Sequence, residues 1–243
     1  MIKLKISHNS LSDIGLNRNE NQDYFYCGNP SVDEGAATRI SSLSVIADGL
    51  GGLSNGGEAS KIAVNSFLDH IAHQNFEKNN DSDYVINQML KGFKIANSKV
   101  LDNSKNNNIK SGTTLSASLL IDDNLYITHA GDTRVYIFED KKLFKGYSVN
   151  QITVDDNPPG HPNSLTKYIG ESSVISPSSH TYKVKSGSLI ILTSDGFHNE
   201  VAHERFRNLV NKTRFNSLVK VLVDEANKVS GIDNITVLAT KID

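Results

Sequence analysis

Five aspartates in this chain stand at the ends of strand-like or polar runs, beside glycine, asparagine or glutamine. Leu43-Ser44-Val45-Ile46-Ala47 leads into Asp48-Gly49, and Leu189-Ile190-Ile191-Leu192-Thr193-Ser194 leads into Asp195-Gly196. The run Tyr126 to Gly131 delivers Asp132, and Asp233-Asn234 opens the run Ile235 to Ala239. Asp23 closes the polar stretch Asn19-Glu20-Asn21-Gln22. Acids at strand ends can converge in space although they are far apart in sequence. Crowded carboxylates repel and resist ionisation unless a cation neutralises them. Hard divalent cations take oxygen ligands, so these residues point to a magnesium- or manganese-type site. Arg18, just upstream of Asp23, carries the side chain suited to forked hydrogen bonds with phosphate oxygens.

Such acids need a scaffold. Helical spacing is clear over Ala59 to Ala72, where Ile62, Ala63, Phe67, Leu68 and Ile71 share a face. Tyr84 to Leu101 repeats the pattern, and Asn216 to Val229 predicts a third helix. Strands are expected over Thr114 to Ile121, Asn124 to His129, Arg134 to Glu139, Ser188 to Ser194 and Asn234 to Ile242, with a hairpin turn at Asp122-Asp123-Asn124. The alternation Met1-Ile2-Lys3-Leu4-Lys5-Ile6 is a strand pattern and not a signal peptide. Asn103 to Asn108 and Asp155 to Asn163 read as loops. Strands in runs and helices in pairs make this an α+β chain, with two stacked sheets flanked by helices as the expected architecture.

Composition excludes several classes. A formal charge of -2 argues against capture by nucleic acid or by anionic membranes. No apolar run is long enough to span a bilayer, so a cytoplasmic protein is expected. The single cysteine, Cys27, forms no internal disulfide and has no cationic neighbour in sequence to activate it, so it reads as a packing residue.

The glycine-rich turn after Asp48, Gly49-Leu50-Gly51-Gly52-Leu53-Ser54-Asn55-Gly56-Gly57, invites comparison with nucleotide cradles. Its spacing fits neither the dinucleotide fingerprint nor the phosphate loop, because Ser54 takes a glycine position and Glu58 follows Gly57. With a metal the segment makes sense: Asp48 can bridge two cations and Gly49 offers an unobstructed carbonyl.

The string Gly15 to Asp23, followed by Ala47-Asp48-Gly49-Leu50-Gly51-Gly52, resembles the opening of the protein phosphatase 2C family, the metal-dependent serine/threonine phosphatases. Ser111-Gly112-Thr113-Thr114, Ala130-Gly131-Asp132-Thr133-Arg134, Ser194-Asp195-Gly196 and Asp233-Asn234-Ile235-Thr236 are similar to later motifs of the family, in its order. The resemblance implies a β-sandwich of two antiparallel sheets flanked by helices, with a binuclear metal centre at one end. By motif position, Asp48 bridges the metals, Gly49 gives its carbonyl and Asp195 and Asp233 complete the cage. Asp23 binds a metal directly or through water. Asp132 resembles the position that, with Asp195, holds a weaker third ion in bacterial-type members. Arg18 holds the substrate phosphate.

The resemblance also implies one catalytic domain over residues 1–243, with a short flap at about 148–170. The expected activity is hydrolysis of phosphoserine and phosphothreonine by water activated at two Mn2+ or Mg2+ ions, with room for a third. Arg18, Asp48 and Asp195 carry the catalysis. The partners implied are phosphoproteins, opposing a serine/threonine kinase, and the chain is expected to be a monomer. A non-catalytic metal- or phosphopeptide-binding regulator of the same fold is the alternative.

Three departures from the family pattern stand out. Gln22 takes the place of a metal-binding glutamate of many eukaryotic members. Leu50 replaces a histidine proposed as general acid, leaving His161 and His198 as nearby substitutes, both read as loop histidines open to solvent. Thr153-Val154-Asp155-Asp156 stands where the family often shows Thr-x-Asp-His.

Overall fold

The computed structural model describes residues 5–30, 40–50, 55–140, 146–161 and 164–243. Met1 to Leu4, Gly51 to Ser54 and Pro162-Asn163 lie outside these residues. The chain opens with β1 (Ile6–Asp13), β2 (Asp23–Gly28) and β3 (Ile40–Asp48), followed by α1 (Gly56–Ala72) and α2 (Ser82–Asn106). Next come β4 (Leu115–Ile121), β5 (Asn124–Ala130), β6 (Arg134–Asp140) and β7 (Tyr147–Gln151). It ends with β8 (Ser178–Lys183), β9 (Leu189–Thr193), α3 (Asp195–His198), α4 (His203–Lys212), α5 (Phe215–Val229) and β10 (Ile235–Ile242).

The strands form two five-stranded sheets, ordered β2-β3-β4-β5-β8 and β1-β10-β9-β6-β7, and their paired neighbours run antiparallel. Side chains alternate across each strand, and here both faces are buried. Ile46, Leu120 and Ile127 meet Ile137, Ile190, Leu192 and Leu238 between the sheets. Their neighbours Val45, Leu119 and Tyr126 face the opposite way, onto Phe67, Met89 and Phe93 of α1 and α2. Tyr136, Phe138 and Ile191 likewise meet Phe206 of α4 and Leu222 of α5. The layers are therefore helices, sheet, sheet, helices. That double burial explains why β3, β4 and β9 read as near-continuous apolar runs.

The hairpin signal is borne out, since only Asp122-Asp123 separates β4 from β5 and Asp122 takes φ 54°, a left-handed conformation that aspartate tolerates. Asp81 caps α2 by accepting from the backbone N–H of Asp83 (3.1 Å) and Tyr84 (3.4 Å). The loop expected at Asn103 to Asn108 is corrected: α2 runs on through Asn106, and the chain turns at Asn108, φ 50°. The helix is held there by Asn107 N–H donating to the Asn103 carbonyl (3.1 Å) and by Ser104 bonding Ser111 (2.8 Å). Weak intrinsic helix preference of asparagine yields to this tertiary tie. The described part of the N-terminal alternation enters β1 only at Ile6. No described helix is long and apolar enough to cross a membrane.

Candidate metal centre

The topology delivers all five aspartates to one end of the sandwich. β2 begins at Asp23 and β3 ends at Asp48, and their antiparallel register sets the two directly opposite. Asp132 sits where the chain crosses from β5 in one sheet to β6 in the other. Asp195 follows β9, and Asp233 precedes β10; Thr193 of β9 pairs with both Arg134 and Val237, which keeps these starts and ends level.

The carboxylates bear on one another. Asp23 Oδ2 accepts from Ser194 Oγ (2.8 Å) and Thr236 Oγ1 (2.6 Å), whereas its Oδ1 is sealed from solvent and has no hydrogen-bond partner. Burial pushes the Asp23 carboxyl up to about 7, against those two hydrogen bonds and with further repulsion from Asp195 and Asp233. Asp48 is held well above the usual carboxylate range by burial, then by Asp23, Asp195, Asp132 and Asp233. Asp195 is raised by burial and by Asp233. Burial and then Asp195 lift Asp132 to about 7. A site that resists the ionisation of its own acids is one a divalent cation would complete.

The donor set fits such an ion. It is all oxygen, and the orphaned Asp23 Oδ1 is a buried acceptor left free for an ion. No three acid, histidine or cysteine side chains among the described residues close on a single point. Magnesium-like ions suit that dispersion, since they take one or two carboxylates each and keep several waters. Gly49 is required by packing: its N–H donates to the Gln22 carbonyl (3.1 Å), and a Cβ there would collide with the Gly56 carbonyl at the start of α1.

Arg18 stands at the rim, its side chain 43% exposed, with Nη2 donating to Asp233 Oδ2 at 2.7 Å. The residue expected to hold the phosphate and one of the expected metal ligands are thus paired with each other. A cavity of about 310 Å³ opens beside them, lined by Asn17, Arg18, Asn19, Glu20, Gln22 and Asn234.

Several supporting residues stand inside the sequence motifs, yet their role emerges only in the fold. Asn234, almost fully buried, accepts from Gln22 N–H (2.9 Å) and donates to the carbonyls of Ile14 (2.9 Å) and Glu20 (3.0 Å). It therefore staples the Arg18 loop to the start of β10. Thr114 Oγ1 accepts from Asp48 N–H (2.9 Å), and Thr113 Oγ1 donates to the Asp48 carbonyl (2.8 Å). The available signal was the short polar side chains placed immediately before apolar strands.

His161 is exposed, as expected of a loop histidine. His198 is corrected: it lies in α3, bonds Thr193 Oγ1 through Nδ1 (3.0 Å), and its Nε2 is sealed without a partner. Burial, with Arg134 nearby, holds it neutral well below the ordinary histidine range. It is therefore the uncharged imidazole at neutral pH, without the second proton of an imidazolium acid. Cys27 behaves as a packing residue, its thiol pushed up by burial.

In the segment after β7, Arg134 grips Asp155 with two nitrogens (3.0 and 2.7 Å). Asp156 accepts from Gly131 N–H (3.0 Å) and Lys167 Nζ (2.7 Å), with buried His129 3.9 Å away. Asp156, where the family often has histidine, thus ties this segment to the Asp132 turn.

Comparison with solved structures places this architecture among bacterial serine/threonine phosphatases. The serine/threonine phosphatase of S. agalactiae superposes with a TM-score of 0.84 at 22% identity, covering 98% of this chain and 100% of that one. The catalytic domain of the phosphatase PstP, solved in complex with two manganese ions, gives 0.77 at 23% identity over 98% of this chain and 99% of that one. Protein phosphatase PhpP of Streptococcus pneumoniae is 28% identical over 250 residues, covering 93% of this chain and 94% of its own. The serine/threonine phosphatase Stp of Listeria monocytogenes is 24% identical over 83% of this chain and 84% of its own. The profile of the family described as protein phosphatase 2C matches residues 17–235. The chain belongs to that family, as a bacterial-type serine/threonine protein phosphatase.

Proposed function

We propose that residues 1–243 form one catalytic domain that removes phosphate from phosphoserine and phosphothreonine in proteins, at a centre built from Asp23, Asp48, Gly49, Asp195 and Asp233. The observation that carries this reading is the gathering of acids whose ionisation the fold opposes, with a guanidinium beside them. Two divalent cations bound there would supply a water of lowered pKa and neutralise charge on the phosphoryl group.

The chain's own groups do the rest. Asp48, Asp195 and Asp233 would hold the ions, and Asp23 is kept in place for its part by Ser194 and Thr236. Arg18, already oriented at the acids by Asp233, turns its remaining N–H groups to the substrate phosphate as negative charge spreads over the equatorial oxygens. Asn234 fixes the loop that presents Arg18. Leu50 has no proton to give and His198 is held uncharged with its Nε2 sealed from solvent, so we assign the leaving oxygen's proton to water.

Manganese is the ion we favour, given the two manganese ions in the PstP complex, with Asp132 reserved for a third. The substrates are phosphoproteins, and the opposing enzyme is a serine/threonine kinase. The domain acts as a cytoplasmic monomer, away from nucleic acid and membranes, in keeping with its charge of -2. The segment at about 148–170 serves as a short flap. The test is hydrolysis of an aryl phosphate and a phosphothreonine peptide with manganese or magnesium; full activity in excess chelator would sink the reading. A regulator that only binds would show metal uptake with no turnover at all.

A further inference from the structure

Seven large apolar side chains are exposed among the described residues, and four of them fall in two short segments beside Arg18. They are Ile14 (39%), Leu16 (68%), Val229 (55%) and Ile232 (53%). These segments lie against each other. Leu16 N–H donates to the Gly231 carbonyl (2.6 Å), and the Leu16 side chain rests on Gly231, where a Cβ would come within 2.7 Å of Leu16 Cγ. Gly15 (φ 79°) packs onto the Asp233 carbonyl so closely that a Cβ would collide with it. Two residues farther along each segment, Arg18 and Asp233 are paired at 2.7 Å. The apolar surface is therefore continuous with the arginine and the acids.

We infer that Leu16 and Ile232 form an apolar subsite for the polypeptide that flanks the phosphorylated residue. The inference rests on the phosphatase reading above. A phosphate held by Arg18 must bring its own chain across this rim. Extended chain advances about 3.3–3.6 Å per residue, so residues one to three positions from the phosphorylated one reach Leu16 and Ile232. The lining of the cavity is polar, with Glu20 the sole acid and Arg18 the sole base in it, so the rim is what can distinguish one sequence from another. An apolar side chain there gains by leaving water, and a polar one does not. The occupant is thus an apolar residue next to the phosphoserine or phosphothreonine.

The experiment compares two phosphothreonine peptides that differ only in their flanks, leucine against serine, with manganese present. The wild-type protein is expected to prefer the leucine peptide by about tenfold in kcat/KM, carried by KM. Leu16→Ser and Ile232→Ser, both at exposed positions, are expected to bring that ratio toward one. Equal kcat/KM for the two peptides in the wild type would overturn the subsite without needing any variant. An unchanged preference in both folded variants would overturn the assignment to these residues. A concentration-dependent dimer in sedimentation, dispersed by Ile232→Ser while the peptides remain equal, would assign the patch to a second copy instead. Failure to hydrolyse either peptide or an aryl phosphate would overturn the phosphatase reading, and this one with it.

Discussion

Replacing Asp48 with asparagine separates two properties of one residue. It stands opposite Asp23 in the register and under the field of four other aspartates, so it is central to the acid cluster. Asp48→Asn is expected to cost at least about a thousandfold in turnover of an aryl phosphate, as electrostatic catalysis of a very slow reaction is lost. The same change removes a repelled carboxylate, so the metal-free protein should melt no lower than wild type; near-normal turnover would remove Asp48 from the centre. The sign of the pH dependence is set by Asp23 and Asp132. Both are raised from 3.8 to about 7 in the fold, so below 7 the folded chain binds protons that the unfolded chain releases. Stability of the metal-free protein should therefore increase as pH falls from 8 to about 6.5, as read by urea unfolding in chelator. Below that, His8, His129 and His198, all lowered by burial, oppose the trend. A stability that falls between pH 8 and 6.5 would contradict the crowding.

At the scale of elements, Asn234 is the test of how the Arg18 loop is held. Asn234→Ala leaves Gln22 N–H and two carbonyls without their partner, and should cost about 2–3 kcal/mol in denaturant unfolding. If the loop is what presents Arg18, KM for phosphopeptide should rise as well, and an unchanged KM would leave Asn234 purely structural. This part of the site was invisible in the sequence, because a staple exists only once residues 14–22 and 233–234 are adjacent. Strands buried on both faces, such as β3, β4 and β9, were legible as apolar runs. So were the broad apolar faces of α1, α2 and α5. By contrast β1, whose residues Ser7, His8, Asn9 and Ser10 carry no apolar alternation, forms through its ladder with β10. β8, an edge strand alternating half-buried and exposed, was lost for the same reason. α4 buries only Phe206 and Val210, too narrow a stripe to announce a helix. The acids were legible as positions, whereas the Arg18–Asp233 pairing and the burial of His198 depend on how the elements meet.

At the acid end the whole molecule gathers residues contributed from both of its sheets. Asp23 and Asp48 come from one sheet, Asp195 and Asp233 from the other, and Asp132 from the crossing between them. Ions bound there favour the folded state by mass action. At about a hundredfold excess over Kd, manganese should raise the melting temperature by roughly 5–10 °C for a chain of this size. The shift should vanish in Asp48→Asn, and its persistence would place the ion elsewhere. Because the carboxylates sit at strand ends, where ladders fray first, the cost of an unloaded site falls on local opening before global unfolding. Hydrogen exchange should therefore be polarised along the sandwich. Amides near Asp48, Asp132 and Asp195 should exchange faster in chelator and slow on adding manganese. The far end, at the Asp122-Asp123 turn, should keep one rate under both conditions.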